Sequence, residues 1–150
     1  MIRLIDTTEL DILKDDPVRP HLEKLGAGKQ VYVLDDLSAV ICIAYTNSVP
    51  TDEKQLEYYT QAACQDGQHG SIAVAYTVWS NKTGAGKDII FAVRDLFSAD
   101  HRINRLVTMS PKTEMAKRFH TKNGATLLND NADSYNCLLY TSPSPRDNTG

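Results

Sequence analysis

The sequence predicts a single α/β domain in which helices flank a mixed sheet. Strand-like runs rich in Val, Ile, Thr and Tyr alternate along the chain with segments whose apolar residues recur at helical spacing. At two points, around Gly84 and Ser110, a strand runs through a short loop into a helix, the unit from which layered α/β folds are assembled. At 150 residues, with 41% hydrophobic and 23% charged residues, the chain is long enough for one domain with its own core.

The elements follow in order. Met1–Asp6 alternates apolar and polar residues and predicts a short strand. Thr7–Lys14 predicts a helix with Leu10, Ile12 and Leu13 on one side and Thr7 or Thr8 as its cap. Pro17 and Pro20 interrupt it, and His21–Leu25 predicts a short helix ended by Gly26 and Gly28. Gln30–Leu34 and Ala39–Thr46 read as a hairpin turning at Asp35 and Asp36. A polar segment predicts a helix over Asp52–Cys64 and then a loop through Gln65 and Gln68 to Gly70. Ser71–Ser80 carries the strongest strand signal in the chain. Ile89–Leu96 predicts a helix, with Ile89, Ile90, Val93 and Phe97 at helical spacing. Ile103–Met109 predicts a strand, followed by a helix over Lys112–Lys122 with Ser110 as its cap and Pro111 in its first turn. Asn123 and Gly124 close that helix, and Ala125–Leu128 and Ser134–Asn136 begin the last two strands.

Composition excludes several roles. Sixteen Lys and Arg against 19 Asp and Glu give a net charge of −3, which argues against nucleic acid held through its phosphates. No apolar run approaches the ~20 residues of a membrane-spanning helix. Met1–Asp16 lacks the basic start and apolar block of a secretory leader. The three cysteines, Cys42, Cys64 and Cys137, form no CxxC pair, and His69 and His101 have no partners at metal-ligand spacing. The expectation is a cytoplasmic protein with no metal, no nucleic-acid partner and no membrane partner.

The end of the chain differs from the rest. Thr141–Gly150 holds Pro143 and Pro145 and little that packs. The run from Cys137 to Asp147, Cys-Leu-Leu-Tyr-Thr-Ser-Pro-Ser-Pro-Arg-Asp, resembles the translated read-through of a transposase adapter used in preparing sequencing libraries. This divides the chain into a domain over 1–136, its last strand cut short, and a disordered, non-native tail over 137–150.

The segment Asn81-Lys82-Thr83-Gly84-Ala85-Gly86-Lys87 has the makings of a phosphate site. Glycines let backbone approach a ligand with no Cβ in the way, and the amides at the start of the following helix point at one spot. Asn81 and Asp88 break the P-loop pattern, and Ile89 breaks GxGxxG, so nucleoside triphosphates and dinucleotides are disfavoured. A plain glycine-rich turn with solvated lysines is the alternative. Tyr45, Tyr76 and Trp79 read first as sheet packing, and Tyr58 and Tyr59 as helix packing. Cys42 and Cys64 read as small buried apolar residues.

The span Ser71–Leu128 resembles the Gcn5-related N-acetyltransferase (GNAT) family. It rests on Asn81-Lys-Thr-Gly84-Ala-Gly86 after a strand and on a late helix with Ala116 and then Gly124. The resemblance implies a mixed, mostly antiparallel sheet and acetyl-CoA or another acyl-CoA as co-substrate. It places the pyrophosphate on Gly84, Ala85, Gly86 and Lys87, with Asn81, Lys82, Thr83, Val78 and Trp79 completing the coenzyme site. Two positions depart from the family. His120 stands where a tyrosine general acid is common, and neither Ser71–Ser80 nor Ile103–Met109 holds a carboxylate base.

Val107-Thr-Met-Ser110-Pro111 and Phe119-His120-Thr-Lys-Asn123-Gly124-Ala125 also look like the catalytic domain of malonyl-CoA decarboxylase, itself of GNAT fold. That likeness makes Ser110 and His120 the reactive pair; Asp133 and Asn131, a few residues on, are candidates to orient the imidazole. The chain is much shorter than that enzyme, and small proteins of this pattern also resemble ones carried by tailed bacteriophages. Three functions follow. The first is an acyltransferase moving an acetyl or related group to an amine acceptor of unknown identity. The second is a decarboxylase-like lyase using Ser110 and His120, and the third is a non-catalytic coenzyme A-binding or interaction module.

Overall fold

A computed structural model describes residues 1–64 and 69–142. The expected loop positions Gln65 and Gln68, and the tail from residue 143 onward, lie outside the described residues. Eight strands form one sheet: β1 (Ile2–Leu4), β2 (Lys29–Leu34), β3 (Ala39–Thr46), β4 (Ile72–Ser80), β5 (Arg105–Thr108), β6 (Ser110–Pro111), β7 (Thr126–Asp130) and β8 (Ser134–Thr141). Their order is β1-β2-β3-β4-β5-β8-β6, with β7 also on β8. Every neighbouring pair is antiparallel except β4 with β5. The helices are α1 (Glu53–Ala63), α2 (Ala85–Ser98) and α3 (Glu114–Lys122), with a 3-10 helix over Thr7–Asp15. The predicted α/β class with a mixed, mostly antiparallel sheet is therefore the observed one.

Both faces of the sheet are covered, which is why β3 reads as an unbroken apolar run and is buried along its whole length. One face, with Ile41, Ile43, Ala73 and Ala75, packs against Ile89, Ile90, Val93 and Phe97 of α2. The other, with Val31, Cys42, Val74 and Tyr76, packs against Leu56 of α1 and the partly buried Ile12 and Leu13 of the 3-10 helix. No helix among the described residues is long and apolar enough to cross a membrane.

Several elements depart from expectation. Thr7–Asp15 winds as a 3-10 helix, and its cap is Asp6, whose side chain bonds the Thr8 amide while Glu9 returns to the Asp6 amide. His21–Leu25 is not helical, because Arg19 and Lys24 are drawn inward as buried charges. Ser110 and Pro111 are not the start of a helix but a short strand on β8. The helix begins at Glu114, with Thr113 as its cap.

β8 is not cut short at Asn136. It runs to Thr141 and pairs with β5, β6 and β7, so residues 137–141 are strand and not a disordered tail. Cys137 and Leu139 are buried in it. The physical reason is that Cys-Leu-Leu-Tyr is an apolar, strand-compatible run that fills a place in a sheet whatever its origin.

Candidate functional site

β4 and β5 run side by side from Ile72 to Ala75, and a last bond joins the Met109 amide to the Ala75 carbonyl at 2.9 Å. Beyond it the strands part, because the chain after β5 continues as β6 along β8 and leaves β4 behind. A register shift between Cys42 and Ile43 makes Tyr76 a bulge in β4 at the same level. The parting opens a cleft of about 600 Å³. One wall is Tyr76–Ser80 with Gly86. The other is Ser110 and Pro111 with Ala116, Phe119 and His120 of α3, and Pro17 and Val18 lie at its edge.

Ser110 and His120 thus reach one cleft although no hydrogen bond joins them. Ser110 is placed by its pairing with Tyr135, and His120 is the one buried residue of α3. The His120 carbonyl accepts from the amides of Asn123 and Ala125, which fixes the end of the helix around Gly124 (φ +95°). Ser110 Oγ and His120 Nδ1 are both buried with no partner among the described residues. Buried polar atoms are rarely left so, and both belong to residues that line the cleft, as does Tyr76, whose hydroxyl is likewise without a partner among the described residues. Burial pushes the His120 pKa down to about 4, so the imidazole is neutral at neutral pH.

The glycine turn lies beside this cleft. Gly84 has φ +86° with nothing within 4 Å of where a Cβ would stand, so its conformation, not crowding, calls for glycine. A Cβ on Gly86 would come within 3.3 Å of the Phe119 ring, so this glycine lets α3 approach α2. The amides of Gly86 and Lys87 lie in the first turn of α2, where the helix itself supplies no acceptor.

Six of the residues expected to hold coenzyme fall into two sets, and Asn81, Gly84 and Lys87 line neither. Val78, Trp79 and Gly86 line the cleft. Lys82, Thr83 and Ala85 line a separate depression of about 480 Å³ beside Asp36, and Lys82 Nζ stands 3.9 Å from the Asp36 carboxylate. The Asn81 amide bonds the Ser38 carbonyl at 2.9 Å, which ties the loop to the β2–β3 hairpin. Lys87 is exposed, with Nζ 5.6 Å from the centre of the Phe91 ring.

Among the described residues no carboxylate lines the cleft. Asn131 does not orient His120. Its side chain donates to Ser134 Oγ and Asn136 Oδ1. Asp133 lines a different pocket, beside Arg19 and Glu53. The sequence reading missed Asp16–Arg19, which comes from far along the chain to close the end of β4. Its one sequence signal is a charged pair punctuated by Pro17 and Pro20. Among the described residues no group of three His, Cys, Asp or Glu gathers as a metal site would require.

No protein-family model matches the sequence, and no curated protein does. Solved structures match the fold. An acetyltransferase of the GNAT family from Listeria monocytogenes superposes with a TM-score of 0.57 at 9% identity, over 92% of this chain and 92% of that one. Arabidopsis thaliana NAA60, solved with acetyl-CoA, gives 0.59 at 16% identity, over 95% of this chain and 99% of that one. The chain has the GNAT fold. Malonyl-CoA decarboxylase from Cupriavidus metallidurans gives 0.52 at 12% identity over 81% of this chain. The chain spans about a third (33%) of that decarboxylase's length but nearly the whole of the GNAT-fold acetyltransferases. In terms of the GNAT fold, the cleft lies at the parting of the two parallel strands, bordered by the glycine turn.

Proposed function

We propose that the chain is an acyl-CoA-dependent acyltransferase. Coenzyme A lies along the open end of β4 with its pyrophosphate on the Gly84–Lys87 turn, and its thioester sits between Ser110 and His120. The observation that carries this reading is that Ser110 and His120, each with a buried side-chain atom (Oγ, Nδ1) that has no partner among the described residues, line one cleft bordered by a positive-φ glycine turn. The likeness to proteins of the same fold and length that act as acetyltransferases supports it. A thioester carbonyl placed there accepts hydrogen bonds that strengthen as its oxygen gains charge. The acceptor amine adds to the carbonyl carbon, the C–S bond breaks, and the amine proton passes to the coenzyme A thiolate, giving an amide and free thiol. With a neutral ring, His120 donates to the oxygen and is not a store of protons.

A cleft that no carboxylate lines among the described residues favours a second reading, a malonyl-CoA decarboxylase-like lyase. An apolar, uncharged cleft penalises a malonyl carboxylate but not carbon dioxide. The electron pair of the broken C–C bond becomes a thioester enolate held by Ser110 and His120, and a proton from water then adds to the α-carbon to give acetyl-CoA.

Calorimetry with coenzyme A tests the shared premise, and a folded protein that binds none overturns both readings. Incubation with acetyl-CoA and a panel of amines should release thiol only when an amine is present. Conversion of malonyl-CoA to acetyl-CoA without amine, lost in Ser110→Ala and in His120→Ala, selects the lyase instead.

A further inference from the structure

We propose that Arg19 is the positioning residue that holds β4 and β5 apart and so keeps the cleft open. Its guanidinium sits where the two strands part. Nε donates to the Tyr76 carbonyl at 2.9 Å and Nη2 to the Met109 carbonyl at 2.7 Å. These carbonyls belong to the bulge of β4 and to the residue just before Ser110. One rigid planar group therefore spans the gap and donates to a carbonyl on each side of it, at the point where the parallel pairing stops. Without it two buried acceptors lose their donor, and since carbonyls cannot satisfy each other, the strands can replace it only by drawing together until a backbone amide of the facing strand comes within reach.

Arg19 is itself held from several directions, as a spacer must be. Nη1 bonds Glu53 Oε2 of α1 at 2.9 Å. Asp16 Oδ1 accepts from the backbone amides of Val18 and Arg19 and from the Thr77 hydroxyl of β4. Lys24 Nζ donates to the Arg19 carbonyl at 2.7 Å and lies 3.0 Å from Asp16 Oδ2. Arg19 is 7% exposed, and it does not line the cleft whose width it sets. Pro17 and Val18, next to it in sequence, do.

The role rests on the acyl-CoA reading for its meaning but not for its test. Trp79 is the single tryptophan and lines the cleft three residues beyond the Tyr76 bulge. In Arg19→Ala the narrowed cleft should lower acrylamide quenching of Trp79, and millimolar guanidinium should restore it where the same concentration of sodium chloride does not. Coenzyme A, whose pantetheine arm must enter the cleft, should bind at least about tenfold more weakly to Arg19→Ala. Adenosine 3′,5′-bisphosphate, which lacks the arm, should bind both proteins alike. If Arg19→Ala does not fold, Arg19→Lys is used, since one ammonium cannot span both carbonyls. It should show the same quenching loss, without rescue by guanidinium.

Unchanged Trp79 quenching overturns the proposal, as does equal loss of coenzyme A and of the bisphosphate. Wild-type protein that binds neither ligand removes the acyl-CoA reading alone, because the quenching and its rescue still decide the role of Arg19.

Discussion

The two helices that border the cleft are held in opposite ways. α2 buries Ala85, Gly86, Ile89, Ile90, Val93 and Phe97 against the sheet, an apolar stripe running its whole length. α3 buries only His120, a polar residue with an unpartnered ring nitrogen, while its Met115 is 80% exposed. The first helix stabilises the fold and presents its N-terminal turn as a by-product. The second contributes little apolar burial and spends its one buried position on a group suited to chemistry. Stability and function are thus divided between neighbouring helices that meet at Gly86 and Phe119.

The sharpest way to break this contrast is to remove a large α2 side chain. Phe97 is 2% exposed and meets the rings of Tyr32 and Tyr45 edge-on at 6.2 and 6.0 Å. Phe97→Ala should cost about 3–5 kcal/mol in chemical denaturation, near the whole stability of many domains this size. A loss below about 1 kcal/mol would mean that α2 is not the helix that anchors the sheet.

Next in size is the cost of burying His120. Its folded pKa of about 4 lies below the ordinary 6.5 because burial penalises the charged ring. Between those values the unfolded chain takes up a proton that the folded chain refuses. Stability is therefore full above pH 6.5 and falls as pH drops toward 4, by on the order of 3 kcal/mol in all. His120→Phe should remove that part of the acid sensitivity, read as a flatter dependence of denaturation midpoint on pH. For the same reason the wild-type rate should show no imidazole inflection near pH 6.5.

The contrast between the helices also marks what was legible in the chain. The Ile89, Ile90, Val93 and Phe97 stripe announced α2, and the unbroken apolar run of Ser71–Ser80 announced β4, because burial on a regular element leaves a period. Gly84 was legible because a positive φ selects glycine. His120 and Ser110 were readable only through a likeness to a motif, since a lone polar residue on a short helix carries no period. Arg19 was not readable at all. Its burial depends on the Tyr76 and Met109 carbonyls, contributed by strands far from it in sequence. The end of β8 differs from expectation because the identity of residues 137–141 speaks to their origin, whereas pairing depends only on shape and polarity.

The smallest effect should come from Met115, and it separates the two helices most cleanly. Its side chain borders the cleft yet stands 80% exposed, so it makes little of the fold's apolar burial. Met115→Ala should change stability by no more than about 0.5 kcal/mol, the range of surface substitutions. Methionine and alanine are both good helix formers, so α3 should keep its shape. If α3 serves the ligand more than the fold, the same substitution should still weaken coenzyme A binding measurably in calorimetry, by stripping an adaptable apolar contact from the rim. Stability lost with binding unchanged would reverse the assignment and make α3, like α2, a structural helix.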